Sequence, residues 1–192
     1  MKKTRNVSQS DEDLVALSLK ERDFFGCIVD RYEEKLFRYI RRITNVPVED
    51  VEDLLQESFI KAYIHLNSFD PSLKFSSWIY RITYNHVVSS HRKRMVRPEG
   101  NSIDVENSVL ENIASQEHIV DDIDKKERNK NLKYAIEKLD YKYKEVIILF
   151  FFEEKDYKEI SDILEKPIGT ISTLLSRSKK RLRQLYDKEK MV

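Results

Sequence analysis

Apolar residues in this chain recur at every third or fourth position, the period of a helix with one buried face. After a polar start, Leu14 and Leu17 and then Phe24, Phe25, Ile28 and Tyr32 keep this spacing, with Ser10 or Asp11 placed to cap the first helix. The segment from Glu33 to Ile43 sets Leu36, Phe37, Ile40 and Ile43 on one face and Arg38, Arg41 and Arg42 on another, and Asn45 and Pro47 end it. In VEDVEDLLQESFIKAYIHL the stripe is Val51, Leu54, Leu55, Phe59, Ala62 and Tyr63. The loop NSFDPSLKFSS turns at Asp70-Pro71, and the next helix offers Trp78, Ile79, Ile82, Val87 and Val88 for packing.

The period stops between Glu99 and Asp124, where eight acids stand without a lysine or arginine. Such a stretch reads as an extended or poorly ordered linker. Helical order resumes near Asn131 with Leu132, Ala135, Ile136 and Leu139. The run VIILFFF has strand propensity, but Tyr143, Val146, Ile147, Phe150 and Phe151 fall at i, i+3, i+4, i+7 and i+8, which predicts a helix. The expected fold class is therefore all-α: two small helical domains, residues 1–98 and 131–192, joined by an acidic flexible linker over 99–130.

Composition agrees with helices, since only three glycines and four prolines occur in 192 residues. Thirty-five bases and 34 acids nearly cancel to +1, so placement of charge is more informative than its sum. The segment KFSSWIYRITYNHVVSSHRKRMVR, Lys74 to Arg97, holds six bases, no acid, the only tryptophan and two tyrosines. The single Cys27 has apolar neighbours and reads as a buried thiol in a reducing compartment. No apolar run approaches the roughly 20 residues of a membrane span, and MKKTRNVSQSDED lacks a signal peptide's apolar block. A cytoplasmic protein without membrane insertion is expected, and no cofactor is implied.

Chemistry concentrates in three places. At the C-terminal end, YKEISDIL, a break at EKPIG and TISTLLSRSKKRLRQL have helix-turn-helix spacing. If Ile171, Leu175, Leu182 and Leu185 face inward, Thr170, Ser172, Thr173, Ser176, Arg177 and Lys180 are left for a DNA major groove, and Arg177 suits bidentate readout of guanine. Lys179, Arg181 and Arg183 add charge for phosphates. The second place is the acid-rich helix around Asp53-Leu-Leu-Gln-Glu57, and the third is the basic, aromatic segment already described. Glu49 and Asp50 suit the first turn after Pro47 by complementing the helix dipole, but Gln56 and Glu57 lie beyond it.

These blocks resemble a known family. DLLQESF at Asp53–Phe59, FDPSLKFSSWIYRITYNH at Phe69–His86 and the following HRKR resemble region 2 of bacterial RNA polymerase sigma factors, and PIGTISTLLSRSKKRL resembles their region 4. The short chain is similar to the extracytoplasmic-function (ECF) branch. The resemblance implies a non-enzymatic factor that binds core RNA polymerase, recognises −35 and −10 promoter elements and promotes strand opening. It implies that Asp53, Leu54, Leu55, Gln56 and Glu57 dock on the clamp helices of the largest polymerase subunit, with a further contact at the flap region. For the −10 element it implies Phe69, Lys74, Trp78, Arg81, Asn85, Arg92, Lys93 and Arg94. Asn85 and the loop before it would hold an exposed base, the basic side chains would hold phosphates, and Phe69 is a better candidate for DNA contact than Trp78. The −35 set is Thr170, Ser172, Thr173, Ser176, Arg177 and Lys180. An anti-sigma factor is a further implied partner, and the acidic linker is expected to thread the polymerase's nucleic-acid channels.

The chain departs from the family pattern at Ser89 and His91, where an acid and an apolar residue are frequent, and at Ser172 and Thr173, which are frequently basic. Two other readings stand beside the resemblance. A metal-dependent nuclease could use Glu49, Asp53 and Glu57 at spacings of four, although His65, His86, His91 and His118 form no metal-ligand motif with them. An ordinary helix-turn-helix regulator would bind duplex DNA tightly without polymerase.

Overall fold

The computed structural model describes residues 9–44, 46–96 and 123–189, with side chains described up to Arg92 in the first stretch of helices and from Lys130 in the second. The described residues form α-helices joined by short turns, with no strand. Close contacts divide the chain into two compact units, Met1–Ser102 with Ser161–Glu165 and Ile103–Ile160 with Lys166–Val192, and each is taken by itself.

The first unit contains α1 (Asp11–Lys20), α2 (Phe25–Ile43), α3 (Val48–Ile64) and α4 (Phe75–Val96). Ser10 caps α1 in a capping box: its hydroxyl accepts the Asp13 N–H at 3.1 Å, and its own N–H reaches the Asp13 carboxylate at 3.3 Å. Asp11, freed from capping, accepts from Arg31 at 2.5 Å and from the Tyr32 hydroxyl, tying α1 to α2. Burial, reinforced by Asp11, pushes the Tyr32 phenol well above its ordinary pKa. In α2 the buried residues Phe25, Ile28, Tyr32, Leu36, Ile40 and Ile43 follow the predicted stripe, and α2 packs on α3, where Val51, Leu54 and Ala62 are buried, and on α4, where Ile79 and Tyr80 are buried.

One link crosses most of this unit. Glu12 Oε1 of α1 accepts the backbone N–H of Phe75, the first residue of α4, at 3.1 Å. That N–H belongs to a helix's first turn and has no partner inside the helix, so Glu12 acts as a cap supplied from another element.

The second unit contains α5 (Ile123–Glu137), α6 (Tyr141–Ile147), the first residues of α7 (Tyr157–Leu164), whose residues 161–164 group with the first unit, and α8 (Ile168–Glu189). Helix α5 begins eight residues ahead of the expected Asn131, because IDKKERNK is rich in good helix formers yet has no apolar stripe to announce it. After α6 the chain widens into a π-helical turn, Ile148–Phe152, in which the Glu153 N–H reaches the Ile148 carbonyl at 3.1 Å. This corrects the simple helix predicted for VIILFFF. The wider turn puts Ile148 and Leu149 in the core and leaves Phe151 53% exposed, so Phe150 and Phe151 do not continue the buried face of Val146 and Ile147.

Asp156 and Glu159 box the start of α7, with bonds of 2.8 and 3.1 Å. The turn into α8 passes through Glu165 at φ 53, a left-handed position more often filled by glycine. Next to it, Lys166 donates to the buried Glu145 of α6 at 2.7 Å, and the α6–α8 contact is the most extensive in this unit.

Candidate functional site

Helix α3 has more apolar residues than one face can bury. Val51, Leu54, Leu55 and Phe59 point inward, whereas Ile60, Tyr63 and Ile64 are 53%, 38% and 65% exposed. Between α2 and α3, Ile60 and Tyr63 of this surplus line an open groove of about 930 Å³ whose walls also include Phe25, Val29, Phe37, Leu55 and Phe59. Polar groups rim it: Glu33 and Glu34 from α2, and Glu52, Asp53 and Gln56 from α3. The arrangement offers a hydrophobic seat edged by carboxylates, which suits a helix carrying both basic and apolar side chains.

The five residues expected to act together on α3 separate here. Asp53 and Gln56 are exposed at the groove, Leu55 supplies part of its wall, and Leu54 is buried in the core. Glu57 is exposed too, but its Oε2 lies 3.0 Å from Nε2 of the buried His86 on α4, off the line of a regular hydrogen bond. Sequence reasoning missed Ile60 and Tyr63 as groove residues. The signal was available for Ile60, which lies off the predicted stripe, whereas Tyr63 was expected on that stripe and is instead 38% exposed. Among the described residues no group of three acids, histidines or cysteines is arranged to hold a metal ion, and the Glu49–Asp53–Glu57 row forms no such group.

Helix α4 has a buried start and an exposed end. Asn85, Ser89 and Arg92 are exposed and Arg81 is half-buried; spacings of four, four and three place them along one side. Ser89, a departure from the family pattern, thus shares a face with Asn85, and the exposed His91 lies beside it. Lys74 is exposed just ahead of the helix, while the side chains of Lys93 and Arg94 lie outside the described residues.

The loop aromatics are placed differently from expectation. Phe69 is only 8% exposed, and its ring packs edge-on against Phe75 at 5.4 Å and Trp78 at 5.6 Å, with Phe75 and Trp78 themselves 5.5 Å apart. Rather than presenting a ring to DNA, Phe69 anchors the loop to the start of α4, because an aromatic beside other rings gains more from burial than from water. The exposed part of the loop is polar. Asp70 accepts the Ser72 N–H at 2.9 Å, and this bond, with one from the Ser72 side chain, holds its carboxyl below the usual range.

In the second unit Ile171, Leu175 and Ser178 of α8 are buried, whereas Thr170, Ser172, Thr173, Ser176, Arg177 and Lys180 are all exposed. The hydroxyl of Thr173 donates to the Gly169 carbonyl at 2.9 Å, so its proton is held within the helix and it offers outward a methyl and an acceptor. Lys179 lies over the rings of Phe150 and Phe151 at 5.0 and 5.4 Å, which draws it toward the π-helical turn.

Two family models match the chain: Sigma-70 region 2 over residues 28–96 and Sigma-70, region 4 over residues 129–182. The chain is 35% identical over 175 residues to the ECF RNA polymerase sigma factor SigW of Bacillus subtilis, covering 87% of this chain and 91% of that protein. It is 30% identical to SigM of the same organism over 84% of this chain and 94% of SigM. Among solved structures, CnrH in complex with the cytosolic domain of CnrY matches with a TM-score of 0.66 at 22% identity, over 94% of this chain and 99% of CnrH. The sigma factor RpoE from Bartonella quintana, in complex with the anti-sigma factor NepR, matches with a TM-score of 0.64 at 23% identity, over 85% of this chain and 96% of that one.

Proposed function

Because the chain belongs to the extracytoplasmic-function branch of the sigma-70 family, a group of non-enzymatic factors that direct RNA polymerase, we propose how its residues divide that work. The α2–α3 groove docks on core polymerase. Asp53 and Gln56 meet a basic helical surface of the clamp, and the walls formed by Leu55, Ile60 and Tyr63 take its apolar side chains. The single observation that carries this reading is the apolar groove edged by exposed acids on the DLLQE helix. Glu57 has a different task, holding α4 through His86.

Residues 1–98 then act on the −10 element and residues 131–192 on the −35 element, with 99–130 between them. Arg81, Asn85 and Arg92 form the working side of α4. Flipping a base costs a few kcal/mol, and a pocket with a polar side chain at the exposed base offsets part of that cost. Phe69 and Trp78 shape this pocket from behind, and Lys74 adds charge at its mouth. On α8, Arg177 reads a base pair directly while Thr170, Ser172, Thr173, Ser176 and Lys180 position the helix on the duplex.

An anti-sigma factor is placed on the same groove, since a partner seated there excludes polymerase, and the setting is the cytoplasm. Among the described residues no helix is long and apolar enough to cross a membrane.

Run-off transcription with core polymerase tests the assignment. The unaltered chain is expected to give promoter-specific transcripts, and Asp53→Ala with Gln56→Ala to lose them together with co-purification with core enzyme. Tight duplex binding without polymerase, unaffected by those changes, would return the chain to the ordinary regulator reading.

A further inference from the structure

None of the residues assigned above to polymerase or promoter lies on α1, yet α1 reaches the base pocket. Glu12 Oε1 accepts the Phe75 N–H at 3.1 Å, across 63 positions of sequence. Beside it, Asp11 accepts the hydroxyl of Tyr32, whose ring packs edge-on against the ring of Phe75 at 5.7 Å. Two neighbouring acids of α1 thus act on one residue of α4, Glu12 through its backbone and Asp11 by way of Tyr32.

Phe75 is where the loop becomes the helix. It is fully buried, and its ring meets Phe69 at 5.4 Å and Trp78 at 5.5 Å, the two aromatics set behind the pocket. Lys74, at the mouth of the pocket, is the residue before it. An amide in the first turn of a helix has no partner within that helix, and a carboxylate there also complements the positive end of the helix dipole. Without the Glu12 bond the first turn of α4 frays, and the back wall and mouth of the pocket loosen with it. Asn85 lies further along, between the buried Thr83 and Val87, and keeps its place.

We propose that Glu12 is a positioning residue for strand opening: it touches no DNA itself, and it holds the start of α4 so that the pocket stands formed before the exposed base arrives. The proposal rests on the reading of α4 as the opening helix. A pocket ordered in advance loses none of its binding energy to ordering itself.

The test is Glu12→Ala and Glu12→Gln in the full chain, assembled with core polymerase, with Asn85→Ala in parallel. The DNA is a promoter taken from the start sites that core polymerase and the unaltered chain transcribe, supplied both as a duplex and with its −10 element already melted. Glu12→Ala is expected to slow opening of the duplex about fivefold, the scale of one lost helix cap. Co-purification with core polymerase and transcription from the melted template are expected to stay almost unchanged. Gln keeps an oxygen acceptor at the same reach, so Glu12→Gln is expected to restore most of the opening rate. Loss of co-purification, or equal loss on both templates, would show that Glu12 serves the fold at large and would overturn the proposal, as would a Gln variant no better than Ala. If Asn85→Ala slows duplex opening while Glu12→Ala does not, the proposal falls and the reading of α4 stands. If neither change slows it, the reading of α4 falls and takes the proposal with it.

Discussion

His86 of α4 brings its Nε2 to 3.0 Å from Glu57 Oε2 of α3, joining the helix assigned to strand opening to the helix assigned to polymerase docking. The histidine side chain is 6% exposed and the glutamate 61%, so water screens the pair from one side. A double-mutant cycle with Glu57→Gln and His86→Leu, read by thermal melting, is expected to give a coupling of about 0.5 kcal/mol. Strict additivity would mean that the two helices are held by packing alone.

The Glu145–Lys166 pair should be worth more. Glu145 is buried at 2% exposure, and Lys166 meets it at 2.7 Å from the turn that leads into α8. Lys166→Met removes a charged partner from that buried carboxylate, with an expected loss on the order of 2–3 kcal/mol in chemical denaturation. Adding Glu145→Met should restore most of the loss, because a pair of matched apolar residues has no charge to desolvate. No recovery in the double variant would shift the cause from charge to shape.

Tyr32 predicts an alkaline limit for the first unit. Its folded-state pKa is raised above the ordinary value of about 10 by burial, with Asp11 adding to the effect. A raised value stabilises the fold fully below the unfolded pKa, and the contribution is lost as pH climbs beyond it. Stability measured by urea denaturation should therefore be flat in this respect up to about pH 10 and then fall. Tyr32→Phe should start lower, having lost the bond to Asp11, and show a shallower alkaline decline; an unchanged slope would exclude Tyr32 as its source.

Asn85 is exposed on the side of α4 that also carries Arg81 and Arg92. Asn85→Ala is expected to slow opening of duplex promoters by roughly tenfold, the scale of one lost hydrogen bond to an exposed base. Templates already melted through the −10 element should be transcribed almost normally. Equal losses on both templates would assign Asn85 to binding rather than opening.

How much of this was legible in the sequence depended on whether the signal was local. The buried faces of α2 and α3 follow from Leu36, Ile40, Ile43, Val51 and Leu54 at helical spacing, and the exposed row of α8 follows from Ile171 and Leu175. The start of α5 was hidden because charged helix formers carry no apolar period. The π-turn was hidden because Ile148 and Leu149 read equally well on a regular helix, so the exposure of Phe151 was not foreseen. The burial of Phe69 and the meeting of His86 with Glu57 are tertiary facts, made by segments that no spacing rule connects. Ile60 was legible in principle, because an apolar residue off the buried stripe is a surface waiting for a partner, but Tyr63 fits the helical stripe by spacing and its exposure is set by tertiary packing.

The bond from Glu12 to the Phe75 amide changes where the first functional domain begins. The region 2 match starts at residue 28, well after Glu12, yet the first turn of α4 takes its cap from α1. A fragment cut to the family boundary would retain every residue assigned to promoter opening and still present α4 with a frayed beginning, next to the loop that shapes the base pocket. Fragments of this chain designed for structural or binding work therefore need to begin no later than the capping box at Ser10, which holds the helix that supplies Glu12.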